Sequence, residues 1–454
     1  MSNGAPPRRR SIFGGLLFIL VGGLLLTNNF YADLHLGQLF RTYWPVLLIL
    51  WGLAKMFDYF AARRTGAAGP PAFTGGEFFL LLLLIALGGT FTFADWLGPR
   101  VDWEGPWARS FSFTEEAAKK EIKPASQINI TTDYGDIAVI PEDTPEIRVV
   151  AQKTVRSSRR ESDAQNRANQ VMIDIREIST GYEIRPVDQG GGARRVEVDL
   201  EIHVPKEASV EASSERGNVK IVGLAGAINV TARRGNVEIR DAAKDVVVQM
   251  PGSDVRSYDL QVSGVKGDFR VTGRGDDVEA TDVAGSARVE GEFHSIRIKN
   301  AGKGGNFRSR RTDLTFGPLL GRLEMVSGDF ELFDASGGVS ISTNNKNIHL
   351  ENVSGRIKID NRNGSVEVRC KNAPKEEIEV NNESGRIELS LPSDAAFEIT
   401  ASSRGGDIET NFEGPELKRE DDGNTAKLTG KVGKRGPQIR LHTTYGTLSV
   451  QKNP

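Results

Sequence analysis

The chain has 454 residues, which is enough for more than one domain. Its 58 Lys and Arg residues nearly balance its 60 Asp and Glu residues, so the formal net charge is -2, whereas nucleic-acid-binding domains usually carry a basic excess. The single cysteine excludes an intramolecular disulfide, and the five histidines show no paired metal-ligand spacing. We therefore expect no nucleic-acid partner and no metal site.

Three apolar runs lie near the beginning of the chain, at residues 12–31, 43–60 and 78–97. Each is about as long as a helix that crosses the hydrocarbon core of a bilayer. All five tryptophans lie within residues 44–107, as expected for aromatic anchors at membrane and juxtamembrane levels. The pattern predicts a transmembrane region of three helices over residues 11–97, with the lipid bilayer as a partner.

The first apolar run follows three consecutive arginines, residues 8–10, and a basic start before an apolar segment is also typical of a signal peptide. Residues 27–31, at the end of this run, lack the small-x-small pattern of a cleavage site. Two further apolar runs come after it. We therefore interpret the first run as a retained helix, and cleavage as a signal peptide is the alternative.

Basic residues in the short loops predict the orientation in the membrane. Arginines 8–10 and 63–64 fall on one side, while the opposite loop, 28–42, contains only Arg41. This places residues 1–10 in the cytoplasm of a cell with an inner or plasma membrane, and three crossings then place the rest of the chain in the periplasm or outside the cell. Residues 98–125 contain two Gly-Pro pairs and are predicted to be a juxtamembrane linker.

The membrane region also carries recognisable strings. Residues 13–15 read Phe-Gly-Gly, residues 22–29 read Gly-Gly-Leu-Leu-Leu-Thr-Asn-Asn, and residues 43–52 read Tyr-Trp-Pro-Val-Leu-Leu-Ile-Leu-Trp-Gly. Together they resemble the transmembrane region shared by LiaI- and LiaF-like bacterial membrane proteins, over about residues 10–60. The resemblance implies a link to the sensing or damping of cell-envelope stress, often beside a two-component kinase.

From Gln127 onward, apolar and polar residues alternate with the period of a half-buried strand. Residues 158–169 are the exception, because they form a charged, alanine-containing stretch that begins with a plausible helix N-cap. The alternation resumes at residues 171–175, 182–184 and 196–204. We predict one short helix in an outer domain that otherwise consists of strands.

A five-residue unit then recurs: glycine, a polar residue, an apolar residue, any residue and a second apolar residue. Spacings between the units cluster near 9 and near 18 to 21 residues. Each unit is too short to bury its apolar pair alone, so neighbouring units must stack around a shared narrow core, as in a solenoid. Glycine would supply a corner at positive φ, and the residue between the apolar pair would face water. The units begin at Gly217, Gly235, Gly267, Gly328, Gly355, Gly364, Gly385 and Gly406.

The repeat predicts the fold class: a membrane-anchored, mainly β protein whose residues 126–450 form a right-handed, β-helix-like β-solenoid. A β-sandwich or β-prism built from the same short strands is the alternative. The Ile-Asn-Ile and Gly-Asp-Ile-Ala-Val strings within residues 128–139, the repeated units, and Tyr-Gly-Thr-Leu-Ser-Val at 445–450 resemble a bacterial domain of unknown function named "putative adhesin". The resemblance implies surface binding and supplies no catalytic residue.

Several short motifs match functional patterns only formally. Arg274-Gly275-Asp276 spells a cell-attachment tripeptide, and we expect a solvated turn. The segment 302–305, Gly-Lys-Gly-Gly, lacks the frame of a phosphate-binding loop and is expected to be a flexible turn. The carboxylate pairs at 276–277 and 421–422 do not lie in the spaced loop that would wrap calcium, so we expect them to be solvated.

The remaining motifs have similarly plain interpretations. Cys370 is expected to be a lone thiol at a corner, and an intermolecular disulfide is the alternative. Two Asn-x-Thr triplets, at 129–131 and 229–231, match glycosylation acceptors but fall in predicted strands. No spacing supports a Ser, Cys or His catalytic set. We therefore predict no catalytic residues, no cofactor and no enzymatic activity.

Two functions remain for such a protein. The first is a scaffold whose long polar face binds envelope polymer or another membrane protein, with each weak contact multiplied along the repeat. The second is an accessory regulator of envelope-stress signalling, acting through its membrane helices. A glycan lyase is a third and more distant interpretation, which would require an acidic and basic cluster on one groove face.

Overall fold

The computed structural model of the chain describes residues 56, 109–157, 160–190, 196–252 and 258–453. Apart from residue 56, the three predicted membrane spans lie outside the described residues. Within those residues, no helix has the length and apolar character needed to cross a bilayer. The chain divides into two compact units, and nearly all described residues belong to the second, Ser110–Arg156 with Arg160–Pro454.

The described part of this second unit is mainly β. It contains one helix and a hydrogen-bonded network of 31 strands. In chain order the elements are β1 (Arg109–Glu121), β2 (Gln127–Thr132), β3 (Ile137–Glu142), β4 (Glu146–Ser157), α1 (Glu161–Asn169), β5 (Val171–Ile178), β6 (Gly181–Asp188), β7 (Val196–Pro205), β8 (Ser209–Ser214), β9 (Val219–Val222), β10 (Ile228–Ala232), β11 (Val237–Arg240), β12 (Val246–Met250), β13 (Leu260–Val265), β14 (Phe269–Val283), β15 (Ala287–Ala301), β16 (Gly305–Arg308), β17 (Thr312–Phe316), β18 (Leu319–Val326), β19 (Asp329–Ala335), β20 (Val339–Asn345), β21 (Asn347–Glu351), β22 (Ile357–Asn363), β23 (Val366–Arg369), β24 (Ile378–Ser384), β25 (Ile387–Leu391), β26 (Phe397–Arg404), β27 (Ile408–Thr410), β28 (Lys418–Asp421), β29 (Thr425–Val432), β30 (Gln438–Tyr445) and β31 (Leu448–Lys452).

Two ladders of mostly parallel strands organise this network. In the N-terminal half, the first ladder runs β2, β8, β10, β12 and then the beginning of β14 and of β15. The second ladder runs β3, β9, β11, β13 and then the end of β14 and of β15. The chain alternates between the ladders, so each turn contributes one strand to each of them.

The register explains the spacing of the repeated units. Equivalent residues of successive turns are commonly 18 positions apart, as in the contact between Asn236 and Asn218. Local insertions lengthen a turn to 23 residues between Asp245 and Asp268 and to 21 residues between Asp360 and Asn381. A spacing near 18 residues is therefore one full turn, and a spacing near 9 residues is the step from one ladder to the other.

The irregular gap between the units at residues 267 and 328 coincides with a local reversal of the chain. Here β17 is antiparallel to both β16 and β20 in the first ladder. In the second ladder, β18 is antiparallel to both β15 and β19. Parallel pairing resumes at β20 with β22 and at β19 with β21. Two hairpins thus replace the single corners of the regular turns.

The ends of the stack depart from chain order. The β30–β31 strands insert between the turn formed by β24 and β25 and the turn formed by β26 and β27. At the other end, the β2 and β3 strands lie between β6 and β7 on one side and β8 and β9 on the other. The strands β26 and β27 therefore lie outside β30 and β31 in the stack, although they come earlier in the sequence.

The core is the narrow space between the ladders. Inward side chains repeat from turn to turn, and Ile221, Ile239 and Ile298 of the second ladder are each at most 1% exposed. Burying a side chain of this size contributes roughly 1.5–3 kcal/mol. Because the strand period is two, the intervening side chains point away from the core on each face. The alternation predicted from the sequence is confirmed at these positions.

The helix and the segment before β2 differ in detail from the sequence-based expectation. The predicted helix is confirmed as α1, but its N-cap is Arg160, which makes no side-chain cap hydrogen bond. The sequence pattern predicted a helical stretch from residue 158, whereas β4 stays extended through Ser157 and the helix begins at Glu161. The buried side chains of α1 are Ala164 and Ala168. The segment assigned to a linker contains β1, which pairs with β4.

Glycine at positive φ was expected at every repeated unit, and six of the eight agree. Gly235, for example, has φ 150°, and a Cβ there would lie 2.0 Å from the carbonyl oxygen of Gly217 in the preceding turn. At Gly267 and Gly406 the expectation is wrong, since their φ is not positive. Glycine is required there because a Cβ would lie 2.6 Å from the Asp245 backbone nitrogen and 2.1 Å from the Gly446 carbonyl oxygen, respectively.

Candidate binding face

The described residues offer little for catalysis. No group of three or more His, Cys, Asp or Glu side chains in this part of the chain is arranged to hold a metal ion. Cys370 is only 4% exposed, and burial raises the pKa of its thiol to about 11. Since the thiolate is the nucleophilic form, this thiol is unreactive at neutral pH.

The short motifs singled out in the sequence have structural roles. Arg274-Gly275-Asp276 lies inside the long strand β14, so the expectation of a turn was wrong. β14 continues through this point because it runs from the first ladder into the second. Asp422 lies in the turn between β28 and β29, where its Oδ1 accepts the backbone N–H of Asn424 and of Thr425 at 3.1 and 2.7 Å. These hydrogen bonds lower the pKa of Asp422.

An acidic and basic cluster, which a lyase would require, occurs at one corner. A shallow depression there is lined by Arg274, Glu290, Glu292, Arg308 and Arg310 among others. Its two carboxylates are already engaged by arginines, since Glu290 lies 3.2 Å from the Arg270 guanidinium and Glu292 lies 3.8 Å from that of Arg310. The depression is therefore a set of surface ion pairs rather than an acid and a base held ready for chemistry.

The outward face of the second ladder carries many ion pairs, some within one strand and most between neighbouring strands. Glu238 lies 3.2 Å from the Lys220 ammonium and 2.6 Å from the Arg240 guanidinium. Ion pairs continue along the stack with Arg297 to Glu324 and Arg322 to Glu331, and His349 Nδ1 lies 3.0 Å from a Glu367 carboxylate oxygen. Most charged side chains of this face are therefore occupied by a partner in the protein itself.

The first ladder differs over its N-terminal half. Six of its outward side chains there are hydroxyls or amides, and we call these six the uncharged stripe; Glu211, Val247 and Arg270 are also outward and lie beside them. All six members are exposed or half-buried. None of them makes a side-chain hydrogen bond or ion pair within the described part of the chain. The uncharged stripe consists of Thr131, Ser213, Asn229, Thr231, Gln249 and Thr272.

Strand register aligns five of these side chains in one row. Thr131 pairs with Ser213, Ser213 with Thr231, Thr231 with Gln249, and Gln249 with Thr272. Adjacent strands are spaced by about 4.8 Å, so the row extends over ~19 Å across β2, β8, β10, β12 and β14. The strands are fixed by a close-packed core beneath them, with Val230 and Val248 at most 1% exposed.

Charged residues mark the limits of the uncharged stripe. Glu211 lies beside it and accepts a hydrogen bond of 3.2 Å from the Gln127 amide. Past Thr272, the row continues with Glu290. In the C-terminal half of the same ladder, Lys358 and Asp360 lie 3.8 Å apart. Uncharged side chains without a partner among the described residues also occur elsewhere, such as Ser340 of β20 and Gln261 of β13, but the aligned row of five lies in this region of the first ladder.

The chemistry available to the uncharged stripe is hydrogen bonding. Each hydroxyl or amide can both donate and accept a hydrogen bond, so it can match a ligand that carries hydroxyl and amide groups of its own. The Ser213 hydroxyl has no hydrogen-bonded base, and it is therefore not an activated nucleophile. The arrangement is suited to hydrogen bonding with a ligand.

Sequence reasoning did not identify this stripe, although its signal is present. Asn229 and Thr231 were noted only as part of a formal glycosylation triplet, and Gln249 was not noted at all. Aligning the sequence at the 18-residue turn would have placed Ser213 beside Thr231. The sequence alone does not show which strands are neighbours in the sheet.

A stack of two-stranded turns around one narrow core, with a polar outer face, defines a repetitive β domain. Residues 125–451 match the family described as Toastrack DUF4097, and the chain belongs to this family. Residues 12–56 match the LiaI-LiaF-like transmembrane region. Both resemblances noted in the sequence are therefore confirmed, with closely similar boundaries.

Solved structures with similarity to this chain come from several bacteria. A "putative cell adhesion protein" from Clostridium sporogenes is 9% identical, with 76% of this chain and 100% of that chain covered and a TM-score of 0.17. A "putative adhesin" from Bacteroides fragilis is 9% identical, with 76% and 97% covered and a TM-score of 0.20. A "Putative lipid binding protein" from Parabacteroides distasonis is 10% identical, with 76% and 97% covered and a TM-score of 0.20. Among curated proteins, no match is found.

Proposed function

We propose that this chain is a membrane-anchored, extracytoplasmic binding and scaffold protein of the bacterial cell envelope, without catalytic activity or cofactor. Three membrane helices within residues 11–97 anchor it, and residues 1–10 lie in the cytoplasm. After the juxtamembrane segment 98–125, residues 126–450 form a right-handed β-solenoid outside the cytoplasm. The match of residues 12–56 to a transmembrane region supports the anchor. The parallel register of 18 residues per turn supports the solenoid.

The observation that carries the binding function is the uncharged stripe. Charged side chains elsewhere on the ladders are largely paired with one another, whereas Thr231 and Gln249 have no partner in the described part of the chain. A row of equivalent groups can contact a repetitive polymer at many points. Each contact is weak, but the second and later contacts are intramolecular and add strongly to the overall affinity.

The binding function is tested with the full-length protein in detergent micelles or nanodiscs. Purified cell-wall and capsular polysaccharides are immobilised, and retention of the protein is measured against empty micelles. The proposal predicts retention of the protein by at least one envelope polymer, at a level unaffected by chelators because no metal is needed. Absence of retention on every polymer would contradict it.

The orientation is tested separately in intact cells. A tag at the C-terminus should be digested by protease added to intact spheroplasts, because the C-terminal domain is placed outside the cytoplasm. Protection of the tag until the spheroplasts are lysed would overturn this part of the proposal. The same preparation tests the number of crossings, with a second tag at the N-terminus that should stay protected.

A second candidate function, accessory regulation of envelope-stress signalling through the membrane helices, is favoured by β1. This strand lies in the juxtamembrane segment 98–125 and is fastened to the outer domain by Glu115, which pairs with the buried ammonium of Lys153. The Lys119 ammonium lies 2.8 Å from Glu146, and the Lys120 ammonium lies 5.0 Å from the centroid of the Tyr182 ring. Such a fastened strand can transmit a change in the outer domain to the helices. A membrane partner that copurifies only when residues 10–97 are present would support this function.

A further inference from the structure

The strand spacing of the uncharged stripe indicates what kind of polymer it can hold. We propose that it binds an extended, neutral, β-linked polysaccharide that runs along the axis of the stack, so that one sugar unit lies over each turn. This inference rests on the proposed binding function and specifies its ligand. The site is the row Thr131, Ser213, Thr231, Gln249 and Thr272, together with Asn229 beside it.

The first argument is the match of repeats. Neighbouring strands of the stack are spaced by about 4.8 Å, which is close to the advance of one pyranose unit along an extended β-1,4-linked chain. A sugar chain laid across the strands therefore stays in register with successive side chains such as Thr231 and Gln249. A coiled α-linked chain, or a chain laid parallel to the strands, loses this register after one or two units.

The second argument is the kind of hydrogen-bonding group. The ring hydroxyls and acetamido groups of a neutral sugar both donate and accept hydrogen bonds, as the hydroxyls and amides of the stripe do. These side chains are already free of partners within the described residues, so no internal hydrogen bond must be broken when the ligand binds. The rigid backbone beneath them limits the entropy lost on binding.

The third argument is charge. A uronate or phosphate polymer along the row would find no cation within the stripe and would run past the Glu211 carboxylate beside it, whereas Glu290 at the end of the row is paired with Arg270. Repulsion from Glu211 would weaken binding of an anionic polymer, and salt would change its affinity. A neutral chain needs no cation and meets no such repulsion. The stripe therefore favours neutral over anionic glycans.

The length of the row predicts how affinity depends on ligand length. The row crosses the five strands β2, β8, β10, β12 and β14. Affinity should rise with each added sugar until about five units are present and then level off, because further units extend past the stripe. A site that recognises only a chain end or a single sugar would show no such rise.

The test measures binding of neutral β-1,4-linked oligosaccharides, of two to eight units, to the full-length protein in detergent by calorimetry. Chitin-type and cellulose-type oligosaccharides are the neutral probes, and an oligouronate of equal length is the anionic probe. The variant Gln249→Arg places a long cation in the row, and Gln261→Arg is the matched control. Gln261 is also an exposed glutamine on an outward face, but on β13 of the second ladder.

We expect Gln249→Arg to weaken binding of the neutral hexamer by about tenfold and Gln261→Arg to leave it unchanged. Equal weakening by both variants, tighter binding of the oligouronate, or affinity independent of length would overturn the inference. Thermal unfolding of both variants shows that they remain folded. If the protein retains envelope polymer but Gln249→Arg has no effect, this inference fails while the scaffold function stands; if no polymer is retained, both fail.

Discussion

The outward face of the second ladder and the uncharged stripe of the first ladder lie on the same turns of the chain but carry different chemistry. On the second ladder, Glu238 is held between Lys220 and Arg240. On the first ladder, Thr231 and Gln249 have no partner in the described part of the chain. The inward side chains of both ladders are buried and mostly apolar. The fold therefore constrains the inside of each turn and leaves the outside free to differ.

This difference shows how one repeat can serve two purposes. Cross-strand ion pairs on an exposed face contribute little stability each, but they neutralise charge and leave few groups available for a ligand. A face without such pairs keeps its hydrogen-bonding groups available. We infer that the ion-paired face is a solvated surface and that the uncharged stripe is the binding surface. The predictions that follow test this contrast, starting with the feature that both faces share.

The largest effect is expected from Gly235→Ala, because this corner joins β10 of the first ladder to β11 of the second. The new Cβ would lie 2.0 Å from the carbonyl oxygen of Gly217, and the backbone there has φ 150°. We expect the free energy of unfolding to fall by about 4 kcal/mol. Denaturant titration followed by the β-sheet circular dichroism signal measures this loss.

Gly423→Ala is the control for the corner substitution. Gly423 also has a positive φ, of 82°, but no atom lies within 4 Å of the Cβ position. Only the backbone strain remains, so a loss of about 1 kcal/mol is expected. Equal losses for the two variants would show that close stacking of the turns is not what fixes glycine at the corner.

The next largest effect is expected at the outer strands beside the second ladder. The Lys153 side chain is 3% exposed and pairs with Glu115 of β1. Glu115→Ala leaves a buried ammonium without its partner, and we expect a loss of about 2 kcal/mol in the free energy of unfolding. Glu215→Ala, which removes the exposed pair with Arg233, should cost about 0.5 kcal/mol. Similar losses at both sites would contradict the role of β1 as a fastened strand.

A smaller effect is expected when the two faces are compared directly. Glu238→Gln weakens two ion pairs of the second ladder and should lower the free energy of unfolding by about 0.5 kcal/mol, with less effect at high salt. Thr231→Ala removes an unpaired hydroxyl and should change it by no more than about 0.5 kcal/mol, independently of salt. A salt-dependent loss at Thr231 would mean that the stripe has a structural role.

The smallest effect is a dependence on pH. Burial raises the pKa of Asp199 above its ordinary value; the hydrogen bond from the Asp136 backbone N–H acts in the opposite direction, and the charge of the Asp136 carboxylate adds to the rise. The charged carboxylate therefore costs stability at neutral pH, and this cost is relieved as the pH falls through the raised pKa. The Asp199 Oδ1 accepts a hydrogen bond of 2.8 Å from the Asp136 backbone N–H. Asp199→Asn keeps an oxygen that can accept this bond and removes the buried charge. The substitution should therefore raise the melting temperature slightly at pH 7 and not in acid.

Asp422→Asn is the control of opposite sign. Backbone N–H donors lower the pKa of Asp422, so its charged form stabilises the protein above the ordinary carboxyl pKa. That contribution is lost as the pH falls through the lowered pKa. The substitution should therefore lower the melting temperature at pH 7 and have less effect in acid. The same sign for both variants would contradict these environments.

Much of the outer domain was predictable because its strands and corners depend on residues that are close together in the sequence. The alternation at residues 196–204 gave the strand now seen as β7, and the spacing of the glycine units gave the length of a turn. The position of β30 and β31 was not predictable. Their strand pattern is the same as that of other turns, and only packing decides that they insert before β26.

The candidate site was less predictable than the fold. Thr131, Ser213 and Thr231 are ordinary polar residues of ordinary strands, and they form a row only because parallel pairing places them side by side. The residues at the corners were also only partly predictable from the sequence. Asp241 and Asn300 take positive φ, of 55° each, at corners where glycine had been expected to predominate. A short polar side chain also tolerates this backbone conformation.

The most direct test compares the accessibility of the two faces in living cells. Cys370 is buried and its pKa is raised to about 11, so a cysteine introduced by Gln249→Cys or Gln261→Cys is the reactive thiol among the described residues. Each variant is labelled with a membrane-impermeant maleimide, in intact cells and after purification. We predict that labelling at position 249 is slowed in cells, by bound envelope polymer, while labelling at position 261 is unchanged. Protection of position 261 but not of position 249, or of neither, would contradict the assignment of the binding surface to the first ladder.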